Sequence, residues 1–402
     1  MTQVVSEQLR RSMEALSIFG TWASDPKLFE RLQRPETCDF AFGNPHDLAA
    51  PEYVDAIARA ARPTGPAHYA YTQNDPVAAE AIASGLRERF GISFEHEDVY
   101  LTNGNFTGLS LLLRALTDPG DEVVFVSPPW FFYESLIVGG GLTPVRVFAD
   151  RATFDLDLRA IADAIGPRTR AIIVNSPNNP TGRIYPPATL EALGGILTDA
   201  SERHGHPIWL LSDEAYNRIL FDGRTFPTPV AYYPRSFMVY TYAKTQLAPG
   251  SRLGYIAVPP TLPEREELRS PLLVAQITSG WGFPISILQH AIPDLEGFAF
   301  DLATLQRRRD VLVAALREQG YELVDPEGTF YILVRSPLED DIAFCDLLNA
   351  HDVYVLPGSM FEMPGWFRIS VTASDDMVER GIPGFAKAIA QAGAAAGATS
   401  RG

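Results

Sequence analysis

The feature of this sequence that most constrains its fold is a series of seven short apolar segments within residues 98–260. They are rich in Val, Ile and aromatic residues, and most are continuously apolar rather than alternating: DVYLTN, EVVFVSP, LTPVRVF, RAIIVNSP, IWLLSDE, SFMVYTY and GYIAVPP. Continuous apolar runs of this length are typical of strands buried on both faces, as in a parallel or mixed sheet that helices cover. The chain is therefore predicted to belong to the α/β class.

Helical patterns lie between several of these segments, for example FTGLSLLLRAL, FDLDLRAIADAI and PATLEALGGILTDASERH. This alternation predicts βαβ units and a three-layer αβα large domain with a mostly parallel mixed sheet over residues 49–285. Strand-like stretches GTFYILVR, VYVLP and FRISVT follow among helical patterns. We predict that residues 286–402 form a smaller α+β domain, which the N-terminal segment 1–48 joins.

Charge and cysteine content exclude several classes of protein. The formal net charge of −16 argues against a nucleic-acid or anionic-membrane partner. No apolar run reaches membrane length, and the N-terminus lacks the apolar core of a signal peptide. Cys38 and Cys345 are far apart, so neither a disulfide framework nor a metal site is indicated. The expected location is the cytoplasm.

Polar and glycine residues follow the predicted strands at their carboxyl ends, which is where open α/β sheets bind ligands. Gly104, Asn105 and Phe106 come after VYLTN and before a helix. Such a turn presents free backbone N–H groups at a helix N-terminus, which favours a phosphate. Trp130, in SPPWFFYE, either packs in the core or stacks on a flat heteroaromatic ring.

A second group of polar residues strengthens this interpretation. Asp213 directly follows an apolar strand, where an unpaired carboxylate is costly, so a cation is expected opposite it. Lys244 and Arg252 follow the next strand, and a desolvated lysine can act as a nucleophile toward an aldehyde. Each residue by itself could be a solvated charge or a satisfied core group. In this order, and with Asn179 and Tyr216, they indicate a functional site.

Four segments identify a family that the chain resembles: NNPTG, SDEAY, YTYAKTQLAPGSRLGY and FRIS. They are similar to the signature segments of the fold-type-I pyridoxal-phosphate-dependent aminotransferases of class I/II, typified by aspartate aminotransferase. The spacing also agrees, with three residues from Asp213 to Tyr216 and eight from Lys244 to Arg252. The resemblance implies pyridoxal 5′-phosphate as cofactor and transfer of an amino group from an L-amino acid to a 2-oxo acid.

The resemblance also implies a role for each residue around the cofactor ring. Lys244 resembles the lysine that forms a Schiff base with the cofactor and later moves the substrate proton. Asp213 would pair with the pyridine nitrogen and keep it protonated. Asn179 and Tyr216 would donate to the phenolic oxygen, and Trp130 would stack on the ring.

Other residues are implied to bind the phosphate and the substrate. Arg252, Thr241 and the backbone amides of residues 104–106 would hold the phosphate. Arg368, in FRIS, resembles the arginine that binds the substrate α-carboxylate, a task suited to its planar fork. Gly43, in FGNP, would let the N-terminal segment approach that carboxylate closely.

The resemblance further implies an obligate homodimer with shared active sites, because Tyr69 resembles the tyrosine that reaches the phosphate of the neighbouring subunit. Glu362 stands where a glycine is usual, and its charge is expected to disfavour dicarboxylic substrates. No second arginine is identifiable as a clamp for a distal carboxylate. Trp281 and Phe283, in SGWGFP, lie where a partner subunit could line the pocket.

Two other functions are compatible with parts of the pattern. A pyridoxal-phosphate-dependent lyase, or another such enzyme of specialised metabolism acting on an unusual amino acid, would use the same Lys, Asp and Arg residues. The motifs do not separate it from a transaminase. A ligand-sensing domain of a transcription regulator is disfavoured, because the roughly forty residues before the fold are not notably basic.

Overall fold

The computed structural model describes residues 4–24, 30–298 and 300–399. Its strands, in chain order, are β1 Cys38–Asp39, β2 Val99–Thr102, β3 Glu122–Ser127, β4 Thr143–Phe148, β5 Thr169–Asn175, β6 Trp209–Asp213, β7 Ser236–Thr241, β8 Gly254–Ala257, β9 Tyr331–Arg335, β10 Val353–Tyr354, β11 Leu356–Pro357 and β12 Trp366–Ser370. Each of the seven predicted apolar segments contains one strand, from β2 to β8. These seven strands form one sheet.

Helices lie between most of the strands. They are α1 Glu7–Ala15, α2 Ser17–Ala23, α3 Pro51–Ala60, α4 Pro76–Phe90, α5 Asn105–Leu116, α6 Tyr133–Gly139, α7 Leu158–Ala164, α8 Pro187–His204, α9 Tyr242–Thr245, α10 Arg265–Thr278, α11 Ser286–Glu296, α12 Leu302–Glu318, α13 Asp341–Asn349 and α14 Asp375–Thr399. Among the described residues, none of them combines the length and apolar composition needed to cross a membrane. The boundaries follow ordinary capping chemistry: α8 begins at a proline and ends before Gly205, whose φ is +72°.

The seven-stranded sheet has the order β2-β8-β7-β6-β5-β3-β4. β8 is antiparallel to both of its neighbours, and the other adjacent pairs are parallel, which confirms the mostly parallel mixed sheet. Alternate residues enter different cores: Ile173 packs with α5 and α6, whereas Ile172 packs with α7 and α8. Burial on both faces explains why the strands are continuously apolar.

One of the seven strands departs from the prediction of burial on both faces. β4 lies at an edge of the sheet, and only Val147 among its residues is fully buried. β4 has one neighbouring strand and its side chains remain partly in solvent, whereas β2 at the opposite edge is buried along its whole length. The segment LTPVRVF is therefore a strand, as predicted, but a half-exposed one.

The remaining strands form smaller sheets outside the large one. β11, β12 and β9 form an antiparallel sheet, and β1 pairs in parallel with β10. The N-terminal segment thus contacts the C-terminal part of the chain. Helix α11 lies beyond the predicted domain boundary at residue 285, yet its residues share one core with α3 and α4. The three predicted domain ranges stay a prediction.

The sheet topology brings the site residues together. β2, β3, β5, β6 and β7 run in the same direction, so their carboxyl ends meet at one edge of the sheet. The antiparallel β8 begins at that edge. The segments that follow these five strands therefore lie close together at this edge, and the segment that precedes β8 joins them.

Candidate active site

A cavity of about 370 Å³ opens at this edge of the sheet, within the range of roughly 300–1,000 Å³ that is usual for small-molecule sites. It is lined by Asn105, Phe106, Trp130, Phe132, Asn175, Asn179, Asp213, Ala215, Tyr216, Thr241, Ala243, Lys244 and Arg252. Most of the residues predicted to contact the cofactor are among them. Gly104, Arg368 and Gly43 lie beside or behind this lining, and Tyr69 lies elsewhere on the chain.

Asp213 is a buried carboxylate at the end of β6 with three hydrogen-bond donors. Its Oδ2 accepts from the Tyr133 hydroxyl at 2.5 Å, and its Oδ1 accepts from Asn105 Nδ2 at 2.7 Å and from the Ala215 N–H at 3.3 Å. Burial raises the pKa of Asp213, and these donors and the more distant Lys244 oppose that rise. A cationic partner inside the cavity would stabilise the charged form further.

Two of these contacts were not expected from the sequence. Tyr133 follows Trp130 by three residues, so its place in the same strand-end segment was the only signal available. Asn105 was predicted through its backbone amide, whereas its side chain orients Asp213. Both side chains fix the plane in which the carboxylate faces the cavity.

A chain of amide contacts holds the turn after β5. The Asn179 N–H donates to Asn175 Oδ1 at 2.7 Å, and Asn175 Nδ2 donates to the Asp213 carbonyl at 2.9 Å. Asn179 Oδ1 accepts from Arg368 Nη1 at 2.9 Å. Because its carbonyl oxygen is engaged, the NH₂ group of Asn179 is the part that can donate to a molecule in the cavity.

Lys244 lies in the single-turn helix α9, directly after β7. Its Nζ is 5.6 Å from the centre of the Tyr216 ring and 5.7 Å from that of Phe330. Thr241 caps this helix: its hydroxyl accepts from the Ala243 N–H and donates to the Leu253 carbonyl at 3.0 Å. Phosphate binding by Thr241 would require that proton to turn toward the ligand, so its predicted role stays a prediction.

Arg252 and the turn that precedes α5 together form a site for an anion. Gly104 caps the helix with φ +86°, and a Cβ at this position would lie 2.7 Å from Arg252 Nη2. Only glycine therefore allows the guanidinium to lie against the turn. Arg252 Nη1 donates to the Pro249 carbonyl at 3.0 Å. The guanidinium and the free N–H groups of the first helical turn together favour a phosphate.

Arg368 is buried on β12, with 2% of its surface exposed. Its Nη2 donates to the Ala41 carbonyl at 2.9 Å, and its Cζ lies 3.9 Å from the centre of the Tyr331 ring. Burial lowers the pKa of Arg368. Its Nε has no hydrogen-bond partner among the described residues. A buried guanidinium with a free N–H is a binding site for a carboxylate.

Tyr331 is a further residue that sequence reasoning missed, and it lies between the predicted site residues. It hydrogen-bonds Tyr216, and a Cβ at Gly43 would lie 2.7 Å from its hydroxyl. Burial raises the pKa of Tyr216. Burial also opposes ionisation of Tyr331. The Arg368 and Lys244 cations and the hydrogen bond from Tyr216 favour its ionised form and outweigh burial, so the pKa of Tyr331 is lowered.

Tyr69 does not reach the cavity of its own chain. It is 55% exposed, and its hydroxyl donates to the Ala61 carbonyl. Trp281 and Phe283 are also about half exposed, and the Phe283 ring lies 5.2 Å from that of Tyr71. The residues expected to act across a dimer interface therefore lie on the surface of the single chain.

The chemical character of the cavity fits pyridoxal phosphate. A buried carboxylate is available for a pyridinium nitrogen, an amide NH₂ for a phenolic oxygen and a primary amine for an aldehyde. Trp130 offers a flat apolar face, and the turn at Gly104 with Arg252 offers an anion cradle. The cavity therefore offers cationic, donor and apolar groups together, as a flat ring with a charged tail requires.

Comparison with known proteins gives the same answer. A sequence model of the family described as aminotransferase class I and II matches residues 35–384. The aspartate/prephenate aminotransferase of Thermus thermophilus is 31% identical, covering 96% of this chain and 99% of that protein. The aspartate aminotransferase of Rhizobium meliloti is 32% identical, covering 85% of this chain and 86% of that protein. A crystal structure of an aminotransferase from Eubacterium rectale has a TM-score of 0.86 at 30% identity, covering 97% of this chain and 99% of that one.

Proposed function

The chain belongs to the class I and II aminotransferase family, and we propose that the residues around its cavity carry out the family's reaction in the roles assigned below. It is a pyridoxal-phosphate-dependent enzyme that transfers an amino group between an amino acid and a 2-oxo acid. The observation that carries the assignment of roles is the convergence of Asp213, Asn179 and Lys244 on one cavity beside an anion cradle.

When bound, pyridoxal phosphate supplies the electron sink that lets the substrate Cα lose its proton. Lys244 takes that proton and returns it, because its short helix contributes Ala243 and Lys244 to the cavity lining and its amine forms no salt bridge with a described carboxylate. Asp213 holds the proton on the pyridine nitrogen. Arg368 binds the substrate α-carboxylate through its free Nε, and it keeps Asn179 turned toward the cavity.

Arg252 and the backbone of residues 104–106 would anchor the phosphate of the bound cofactor. Tyr216 and Asn179 would donate to its phenolic oxygen, and Trp130 would stack on its ring. Tyr331 keeps the Tyr216 hydroxyl in place between Lys244 and Arg368. These assignments divide the cavity into a phosphate end, a ring wall and a substrate end.

A transaminase is distinguished from a lyase by the fate of the cofactor. If the enzyme is given an amino donor and no oxo acid, we expect its yellow colour to bleach stoichiometrically, because one amino group is retained per site. Addition of a 2-oxo acid should restore the colour. Steady-state rates varied in both substrates should give parallel double-reciprocal lines, the pattern of two half-reactions that share one cofactor. Stopped-flow absorbance and product analysis measure these outcomes.

A different result would favour the alternative function. Continuous turnover of a Cβ-substituted amino acid, with release of ammonia and without any requirement for an oxo acid, would identify the enzyme as a lyase. The same residues would then remove the substrate α-proton, and the leaving group on Cβ would depart before that proton is returned.

We also propose that the enzyme is a homodimer whose active sites are shared. Exposed apolar side chains occur in two segments of the single chain, Tyr69 and Tyr71 in one and Val274, Ile277, Trp281, Phe283 and Ile285 in the other. The segments meet where the rings of Tyr71 and Phe283 lie 5.2 Å apart. Large exposed apolar side chains that cluster on a surface are typical of an interface between subunits. In a dimer, Tyr69 would reach the phosphate end of the partner's cavity.

The cytoplasmic location expected from the sequence stays a prediction.

Mixed dimers test this arrangement. Lys244→Ala and Tyr69→Phe chains are each expected to have low activity as homodimers. After unfolding and refolding together, they should form heterodimers in which one composite site carries both wild-type residues. We expect activity to rise toward a quarter of the wild-type value in an equimolar mixture, measured against each variant refolded separately. A cofactor-saturated monomer with full activity would disprove the shared site.

A further inference from the structure

We propose that the substrate of this enzyme has an aromatic or long apolar side chain, and that dicarboxylic amino acids are poor substrates. This inference rests on the proposed function, because it assigns the part of the cavity that lies beyond the cofactor and the α-carboxylate. It depends on two observations: a group of half-buried aromatic rings at the substrate end, and the commitment of each described cation nearby to the cofactor, to the α-carboxylate or to a carboxylate of the chain.

The rings are Phe19, Trp22, Phe42, Phe131 and Phe132, and they are called the aromatic rim below. Phe132 lines the cavity beside Trp130, with 5.2 Å between the ring centres. Phe131 lies 4.5 Å from Phe132. Phe19 stacks on Phe131 at 5.0 Å and meets Phe132 edge-on at 5.3 Å. Helix α2, which carries Phe19 and Trp22, therefore places the Phe19 ring against Phe132, which lines the cavity.

The aromatic rim extends to the point where the α-carboxylate is bound. Trp22 lies 5.3 Å from Phe42, which follows Ala41, the residue whose carbonyl accepts from Arg368. An amino acid held by Arg368 at one end and by the cofactor at the other has only its side chain left to direct along these rings. The rim thus lines the path of the side chain.

All five rings of the rim are half-buried, whereas the neighbouring core side chains Leu333 and Leu356 are fully buried. Phe132 presents apolar surface to the cavity, and Phe19 and Phe131 present theirs to the groove that adjoins it, in addition to packing against one another. An apolar side chain would remove this surface from water together with its own, and aromatic pairs gain further from edge-to-face contacts. The side chain of phenylalanine has the matching chemistry.

Each cation near the cavity, among the residues that the structure describes, is assigned to a partner. Lys244 and Arg252 serve the cofactor, and Arg368 serves the α-carboxylate. Arg146, in the adjoining groove, lies 2.7 Å from a Glu134 oxygen and 2.8 Å from a Glu362 oxygen. Glu362, expected to repel dicarboxylates, is instead one half of this ion pair.

The adjoining groove also lacks a free cation among its described residues. Its lining includes Phe19, Phe131 and four glutamates, with Arg146 and Arg11 as the basic groups. Arg11 lies 3.6 Å from a Glu7 oxygen. A second carboxylate on the substrate would meet an apolar surface and an excess of acidic groups, where an unpaired negative charge is costly.

A partner subunit would not supply the missing cation through the segment that follows α10. Residues 270–289 contain no Asp, Glu, Lys, Arg or His, and they include Trp281 and Phe283. If the proposed dimer brings this segment to the neighbouring cavity, it adds aromatic surface. Both half-reactions use one cavity, so the oxo-acid acceptor is subject to the same restriction and should be monocarboxylic.

Single-turnover rates with a panel of amino donors test the proposal. We expect kcat/KM for phenylalanine to exceed that for aspartate and glutamate by at least about 30-fold, since one methylene in an apolar pocket is worth roughly 10–200-fold. Aspartate, glutamate or a basic amino acid as the best donor would overturn the inference. Failure of every donor to bleach the cofactor would instead count against the proposed function.

Equilibrium binding gives a readout that does not depend on turnover. Titration calorimetry of the holoenzyme with 3-phenylpropanoate and with glutarate, neither of which can react, should show at least tenfold tighter binding of 3-phenylpropanoate. Equal or tighter binding of glutarate would overturn the inference even if the enzyme transaminates phenylalanine.

Two variants connect this preference to the aromatic rim. Phe19→Ala and Phe131→Ala should each lower kcat/KM for phenylalanine about tenfold while leaving alanine as donor within about twofold, because alanine does not reach the rings. Phe148→Ala, a half-exposed ring on β4 outside the cavity lining, is the matched control and should change neither. An equal loss for both donors in the rim variants would show a structural role only.

Discussion

Replacement of Lys244 by alanine is expected to lower the rate of the amino-transfer half-reaction by at least about 10⁴-fold, because the residue serves as both nucleophile and proton carrier. The side chain lies at the end of β7 in the cavity, and no described residue is positioned to replace its amine. Rapid-scan absorbance with a single amino donor measures the loss. The variant should still bind the cofactor, since the phosphate cradle at Gly104 and Arg252 is unchanged.

The sequence contains only three lysines, Lys27, Lys244 and Lys387. Peptide mapping can therefore identify which lysine binds the cofactor. Borohydride reduction of the wild-type enzyme followed by peptide mass analysis should attach the cofactor to the peptide that contains Lys244. Lys387→Ala, an exposed position on α14, is the matched control and should keep full activity and labelling. Attachment to either of the other lysines would disprove the assignment.

Replacement of Asp213 by asparagine should lower the rate of substrate α-proton exchange by about 10²–10⁴-fold while the cofactor is retained. An opposite charge in contact favours the protonated pyridine nitrogen, and an amide does not provide that charge. Asp213→Glu should lose less, because it keeps the carboxylate. Tyr133→Phe should have a smaller effect than Asp213→Asn, since it removes one of three donors that orient the carboxylate.

Exchange of the α-proton with solvent deuterium, followed by NMR, separates this role from a general loss of structure. Asp163→Asn, an exposed carboxylate on α7, serves as the control for the charge change. Near-normal exchange in Asp213→Asn would show that the carboxylate does not keep the pyridine nitrogen protonated. Loss of bound cofactor in that variant would point to an anchoring role in place of an electronic one.

Much of the fold could be predicted from local patterns. The seven apolar segments correspond to the seven strands of the large sheet because burial on both faces excludes polar residues from each strand separately. The segments NNPTG and SDEAY were informative for a similar reason, since a strand-end turn needs particular residues at fixed spacing. The half-exposed β4 was not predicted, because its edge position depends on the order of strands, which residue patterns do not encode.

The sequence by itself thus determined the strands, the family and the residues that follow each strand, because these depend on neighbours within a few positions. Only the tertiary structure decided which distant side chains meet. The Tyr133 hydroxyl contacts Asp213 across 80 positions, and Arg368 contacts Asn179 across 189. The aromatic rim likewise joins rings from α2 with rings of the segment before α6. Such contacts arise from the packing of whole elements, so their geometry is a property of the folded chain and not of any segment in it.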